Sequence, residues 1–177
     1  MKIRAFQAQD FERVQRIYQQ GIATGNATFQ LREKNWQQWQ DSMLEKTCIV
    51  LINSDSSGKA SEHYRVTMPG LILGWAGLSG ISSREVYAGV AEVSVYVDSE
   101  YSGQGGGKKL LTHLITHSES LGYWTLQAAI FPENTASIRL HLNSGFECVG
   151  RRKALGKMQG NWRDVLLLER RSLTVGV

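Results

Sequence analysis

The chain has 177 residues, 42% of them hydrophobic and 20% charged, with 20 Lys and Arg against 16 Asp and Glu for a formal charge of +4. That length suits one domain with a full core, the basic residues are scattered rather than gathered into a nucleic-acid stripe, and no apolar run of about 18 residues exists to cross a membrane. Met1-Lys2-Ile3-Arg4 opens into a strand-like pattern without the apolar segment of a signal peptide, so a soluble, cytoplasmic protein is expected. Cys48 and Cys148, far apart and each in an apolar strand-like context, predict reduced core thiols, and the 4 His show no ligand spacing, so no metal is expected.

Residues 2–6 predict a first strand, and residues 10–21 a helix in which Phe11, Val14, Ile17 and Tyr18 recur at helical spacing before Gly21 and Gly25 break it. A polar loop over 24–32 carries Phe29. A second helix over 33–46 sets Trp36, Trp39, Met43 and Leu44 on its apolar side, and residues 48–52 return to a strand. The polar stretch 53–69, with Ser54-Asp55-Ser56-Ser57-Gly58, reads as an exposed hairpin tip because strand patterns flank it closely. Residues 71–78 resume the sheet. After a loop over 79–90, Glu92-Val93-Ser94-Val95-Tyr96-Val97 alternates as a strand. Leu110, Leu111, Leu114, Ile115 and Ser118 then form one stripe of a helix over 106–121, which Gly122 ends. Residues 123–131 predict a strand, 134–143 a short helix, and 146–153 and 162–170 two final strands. The sum is an α/β domain with a central mixed β-sheet of about seven strands, flanked on both faces by about four helices.

Between the alternating strand and the following helix lies Gly103-Gln104-Gly105-Gly106-Gly107-Lys108. Its glycines leave backbone N–H groups uncovered by side chains and aimed at whatever sits above the helix N-terminus, which is the make-up of a phosphate cradle. A Walker A loop would need Gly where Ser102 stands and Ser or Thr where Lys109 stands, and a dinucleotide fingerprint would need Gly at Lys108. ATP and NAD therefore fit poorly. For the loop taken alone, a glycine-rich turn without a ligand stays open, although Lys108 opposes the helix dipole and makes more sense beside an anion.

The order of elements, with this loop after the fourth strand, resembles the GNAT superfamily of acetyl-CoA-dependent N-acyltransferases. Ala91-Glu92-Val93-Ser94-Val95-Tyr96-Val97, Phe131-Pro132-Glu133-Asn134, Ala136-Ser137-Ile138, Leu140-His141, Gly145-Phe146 and Gly160-Asn161-Trp162-Arg163-Asp164-Val165 resemble the phosphinothricin N-acetyltransferase family within it. The likeness runs over nearly the full length, so residues 1–177 are expected to form a single GNAT acetyltransferase domain with a short tail. It implies that backbone groups of Val95, Tyr96 and Val97 hold the pantetheine arm of acetyl-CoA. Gly103, Gln104, Gly105, Gly106, Gly107 and Lys108 would take the pyrophosphate, and Asn134 would contact the same cofactor. It also implies that Ser82, Ser83, Arg84 and Tyr87 face the acceptor, with Arg84 as the clamp for a carboxylate or phosphinate. The partners expected are a small-molecule amine acceptor and a second copy of the chain in a homodimer, with no nucleic acid and no membrane. The superfamily's usual Arg or Gln at the first position of the loop is replaced by Ser102, which predicts weaker cofactor affinity.

Amide formation from a thioester needs a neutral amine, so a base must remove a proton from the ammonium. Glu92 opens an otherwise apolar strand, on the same face as Ser94 and Tyr96, where partial burial would raise its pKa into a useful range. From the strand alone, an ion pair with a residue such as Arg84 is the commoner outcome; with the family likeness Glu92 is the favoured base. His141 stands where many superfamily members carry a Tyr that protonates the departing thiolate, so it is a candidate general acid or a partner of Glu92. Which of the two is the base stays open. Glu92, Val93 and Ser94 also border the acceptor, and Phe29, Tyr87 and Trp162 lie on or beside loops that could wall its pocket. Trp36 and Trp39 read as helix packing. The reaction implied is transfer of acetyl to the α-amine of a small amino acid or analogue of the phosphinothricin, methionine sulfoximine or methionine sulfone type. The alternatives are a protein N-terminus, a polyamine or an aminoglycoside as acceptor, or a non-catalytic acyl-CoA sensor.

Overall fold

A computed structural model describes residues 1–54 and 70–177. The strands are β1 (Lys2–Ala5), β2 (Ile49–Ile52), β3 (Ile72–Gly80), β4 (Val90–Val97), β5 (Thr125–Ile130), β6 (Glu147–Met158) and β7 (Asn161–Arg171), and the helices are α1 (Phe11–Ala23), α2 (Trp36–Ser42), α3 (Gly106–Ser120) and α4 (Thr135–Leu142). The strands form one 7-stranded sheet in the order β1-β2-β3-β4-β5-β7-β6. Every neighbouring pair is antiparallel except β4 beside β5.

The apolar stripes anticipated for the helices choose the two faces. Val14 and Ile17 of α1 pack with Trp39, Val50 and Trp75 on one side of the sheet. Leu110, Leu111 and Leu114 of α3 pack with Leu51, Leu78, Ala91, Leu126 and Leu168 on the other. Burying each such side chain stabilises the fold by about 1.5–3 kcal/mol, and the central strand β3, covered on both faces, is buried from Ile72 to Leu78. No helix among the described residues is long and apolar enough to cross a membrane.

Three expectations change. The second helix is shorter than 33–46: Asn35 and Gln38 cap its start reciprocally, and Leu44 donates to the carbonyl of Leu78 at 2.8 Å, so a tertiary bond to β3 ends it. The strand β6 runs to Met158, beyond residue 153, because the register shifts between Arg152 and Gly156 and lets pairing with β7 resume. Cys148 is exposed on this edge strand rather than a core thiol, while Cys48 is buried and its thiol is pushed up to about 12 by that burial. The stretch expected as a hairpin tip falls mainly at 55–69, outside the described residues.

The feature that positions the site is a parting in the sheet. The parallel pairing of β4 with β5 extends only from Val90 to Glu92, opposite Thr125 to Gln127. Beyond Glu92, β4 continues alongside β3 alone. The amide of Asp98 donates to Leu73 of β3 at 2.9 Å, so by antiparallel alternation Tyr96, Ser94 and Glu92 also direct their backbone groups at β3; the Val93 amide belongs to the last rung of the parallel pairing with β5, and its carbonyl and the backbone groups of Val95 and Val97 face the gap.

Candidate active site

The parting opens into a cavity of about 1030 Å³. One wall is β4 from Glu92 to Val97, one end is the glycine loop, and α4, the Phe29 loop and the Trp39, Met43 and Trp75 side chains complete it.

At the loop end, Gly103 and Gly105 have φ of +76° and +81°, a left-handed conformation that side-chain-bearing residues rarely adopt. Gly105 is the N-cap of α3. A Cβ on Gly106 would lie 3.0 Å from Leu51 and one on Gly107 3.3 Å from Leu140, so the first turn of α3 sits tightly between the sheet and α4. The amides of residues 103–108 make no well-formed hydrogen bond among the described residues. They are free donors at a helix N-terminus, with Ser102 and Lys108 beside them in the cavity wall. Lys109 instead donates to the carbonyl of Met1 at 2.6 Å. The exposed edge of β4 and this row of amides fit an extended ligand with a diphosphate at one end. Backbone alternation and the β5 pairing assign the strand's free groups to the Val93 carbonyl and to Val95 and Val97, whereas those of Tyr96 belong to β3; the aromatic ring of Tyr96 stacks on Trp75 at 5.0 Å and borders the cavity.

Glu92 lies where the two strands separate, half-buried between Ser79 of β3 and Gln127 of β5. Burial raises its pKa above the ordinary carboxylate value, and the positive charge of Arg152 opposes that only in part. It does not pair with Arg84.

His141, on α4, is 4% exposed and borders the same cavity. Its Nδ1 is 2.8 Å from the carbonyl oxygen of Ser137. A carbonyl can only accept, so Nδ1 carries the proton and Nε2 presents its lone pair. No group among the described residues satisfies that Nε2. Burial lowers the imidazole pKa, with partial compensation from Ser137, so the ring is neutral near pH 7 and equipped to receive a proton rather than to give one from Nε2.

The Asn134 side chain caps α4 by accepting from the Ser137 amide at 3.1 Å and ties back to the Asn26 carbonyl at 3.2 Å. Arg163 reinforces that junction: it donates to the Gly25 carbonyl, to Asn26 and to Glu133, and lies 4.1 Å from the Phe131 ring centroid. Phe29 packs edge-on against Phe131 at 4.7 Å and borders the cavity. A Cβ on Gly156 would come within 2.7 Å of its ring, so β6 needs a glycine there.

A family model for the acetyltransferase (GNAT) domain matches residues 3–167. The chain belongs to the GNAT acetyltransferase family. It is 32% identical over 152 residues to the L-methionine sulfoximine/L-methionine sulfone acetyltransferase of Pseudomonas paraeruginosa, covering 83% of this chain and 81% of the relative. It is 29% identical over 170 residues to the phosphinothricin N-acetyltransferase of Alcaligenes faecalis, covering 95% and 81%. The crystal structure of a GNAT superfamily phosphinothricin acetyltransferase from Sinorhizobium meliloti in complex with AcCoA superposes with a TM-score of 0.80 at 27% identity, over 96% of this chain and 87% of that one. The expected α/β GNAT fold is thus borne out, and the protein is an acetyl-CoA-dependent N-acetyltransferase.

In this GNAT acetyltransferase the structure gathers Phe29, Glu92, Val93, Ser94, Val95, Tyr96, Val97, the loop residues Gly103, Gly105, Gly106, Gly107 and Lys108, Asn134 and His141 around one cavity. Gln104 does not line it. Ser82, Ser83, Arg84 and Tyr87 also lie outside it: all are exposed, and the Arg84 guanidinium rests 5.4 Å from the Tyr87 ring centroid. Trp162 is 64% exposed beneath the ammonium of Lys157 and walls nothing. The residues that sequence reasoning passed over are Trp39, Met43 and Trp75, which border the cavity while packing the core, and the cations Lys34 and Arg152. Trp75 was open to detection as the cross-strand partner of Tyr96; Lys34 and Arg152 carry no local signal.

Proposed function

We propose that the protein acetylates the α-amino group of a small amino acid or analogue, of the methionine sulfone, methionine sulfoximine or phosphinothricin type. The observation that carries this reading is Glu92, a carboxylate of raised pKa at the point where β4 and β5 separate, in a cavity whose far end is a row of unsatisfied amides. The curated names of the relatives above support the acceptor class.

Acetyl-CoA, when bound, supplies an acetyl group already activated as a thioester. The amides of residues 103–108 and the side chain of Lys108 would hold its diphosphate, and the outward backbone groups of Val95 and Val97, with the Val93 carbonyl, its arm. Glu92 takes a proton from the acceptor's ammonium, leaving the nitrogen lone pair free to attack the acetyl carbonyl; as the amide bond forms the thioester C–S bond breaks, and the departing thiolate of coenzyme A takes up a proton to leave as the free thiol. Its raised pKa suits that task near neutral pH better than an ordinary carboxylate's would. His141 acts as a second proton acceptor through Nε2, since its Nδ1 proton is held by Ser137. A polycationic acceptor is disfavoured by Lys34 and Arg152 in the wall. The reading includes one catalytic domain, a cytoplasmic location and a homodimer; the exposed Val149, Leu155 and Trp162 on the β6–β7 edge support the last.

The test is in two parts. Acetyl-CoA should raise the melting temperature where NAD and ATP do not, since a ligand at about 100 times its Kd adds about 2.7 kcal/mol to the folded state. A panel of amines, followed by release of free thiol from acetyl-CoA, should show turnover with L-methionine sulfone or its relatives and little with polyamines. Absence of a selective thermal shift would remove the cofactor assignment, and turnover confined to polyamines would remove the acceptor class.

A further inference from the structure

Two consecutive arginines on β6 have opposite fates. Arg151 faces Leu166 and Arg152 faces Val165 across the ladder to β7, and neighbours along a strand point to opposite faces. Arg151 is neutralised, its Nε 2.6 Å from Asp164, which also accepts from the amide of Ala154 at 2.7 Å and so pins the bulge that follows. Arg152 lies on the face of Val165, a buried residue that borders the cavity, and borders it as well. Its guanidinium makes no hydrogen bond or direct ion pair among the described residues, and its charge acts on Glu92 across the cavity wall.

Charge in the cavity is distributed unevenly. Lys108 stands at the glycine loop, and Lys34 and Arg152 also line the cavity. The Lys34 ammonium has no partner among the described residues. Of the carboxylates in the wall, Glu133 is paired with Arg163 at 3.0 Å, which leaves Glu92 against two cations. An α-amino acid fixes its carboxylate one carbon from its amine. Whatever base faces the amine, a free cation close to that base but not bonded to it faces the carboxylate.

We infer that Arg152, and not Arg84, binds the α-carboxylate of the acceptor and thereby selects α-amino acids over simple amines. This rests on the acceptor class proposed above. The planar fork of a guanidinium matches two carboxylate oxygens. Both arginines are exposed, but Arg152 lines the cavity with its fork unoccupied, whereas Arg84 lies over Tyr87 outside it.

The experiment compares L-methionine sulfone with 3-(methylsulfonyl)propylamine, which is the same molecule without its carboxylate, in the intact enzyme and in Arg152→Gln, Arg152→Lys and Arg84→Ala. The intact enzyme should show a KM at least about tenfold lower for the amino acid, as expected when a charge-assisted contact is lost. Arg152→Gln should erase that preference, with KM for the amino acid rising about tenfold or more and kcat changing far less. Arg152→Lys should restore part of it, and Arg84→Ala should keep it. A fold defect would raise KM for both amines equally, which separates it from a lost clamp. If Arg152→Gln keeps the preference, or Arg84→Ala loses it, the assignment to Arg152 is wrong and the acceptor class stands. If the intact enzyme acetylates amines without regard to the carboxylate, or acetylates neither compound, the acceptor class and the clamp fall together.

Discussion

Glu92 is held in a conflict between folding and chemistry. Burial makes its charged form expensive, and the pKa rises because the protein offsets that cost only in part, through the charge of Arg152, which does not bond it. For a carboxyl group whose pKa is higher folded than unfolded, the folded state binds more protons between the two values. Its contribution to stability is therefore largest below the unfolded value and is lost as pH rises through the folded one. Glu92→Gln removes the ionisation, so at pH 7 the variant should melt higher than the parent, by a few degrees on the order of other relieved active-site carboxylates. At pH 4 the difference should vanish. The same substitution should lower turnover by about 100-fold or more while leaving acetyl-CoA binding unchanged. A scan of melting temperature against pH, paired with thiol-release kinetics, checks both; a variant neither more stable nor slower would clear Glu92 of the role. The pKa of His141 shifts in the opposite direction, and both groups border the one cavity. The acid limb of the pH–rate profile consequently reports the pair, and activity should fall as pH drops, with Glu92→Gln reshaping that limb.

At the scale of elements, the glycine loop shows how backbone conformation prepares a site before any ligand arrives. Gly105 caps α3 at φ +81°, with nothing within 4 Å of where its Cβ would be, so Gly105→Ala is opposed by backbone strain alone. The variant should lose about 1 kcal/mol of stability. Its thermal shift with acetyl-CoA should shrink as the amides of residues 103–108 are reoriented, a result that calorimetry with and without the cofactor would read directly. This loop, Glu92 and His141 were all legible in the sequence, because each lies within a local pattern: strand alternation, a glycine cluster before a helix stripe, a histidine near a helix end. The end of α2 was not, since the bond from Leu44 to Leu78 comes from a strand far along the chain. Nor was the role of Arg152, which depends on a face of β6 set by the register with β7 and by the bulge anchored on Asp164. Arg84 is the complementary case: family likeness places it on the acceptor loop, and in the structure the local 3₁₀ turn Glu85–Tyr87 and the cation–π contact with Tyr87 hold it exposed, outside the cavity wall.

Across the molecule, the same parting that makes the cavity weakens the connection between the halves of the sheet. β3 and β4 pair over seven positions from Gly74 to Gly80, while β4 and β5 meet only from Val90 to Glu92. α3 covers both sides through its buried leucines, and on the opposite rim Arg163 of β7 holds the loop at Gly25 and Asn26 against Glu133. That guanidinium acts as a strap across the cavity. Arg163→Ala should cost about 1.5–3 kcal/mol, the range for hydrogen bonds to a charged group, and should loosen Phe29 and the start of α4 together. Hydrogen exchange provides the check. In the parent, the amides of Val95 and Val97 face the gap and should exchange faster than those of Ser94 and Tyr96 on the same strand, because only the latter are paired with β3. Acetyl-CoA should slow exchange at Val95 and Val97 and at residues 103–108. In Arg163→Ala, exchange at Asn26, Phe29 and Ser137 should rise while the β3–β4 ladder stays protected. Uniform acceleration across the sheet would instead mean that the two halves unfold as one unit and that the strap carries no local role.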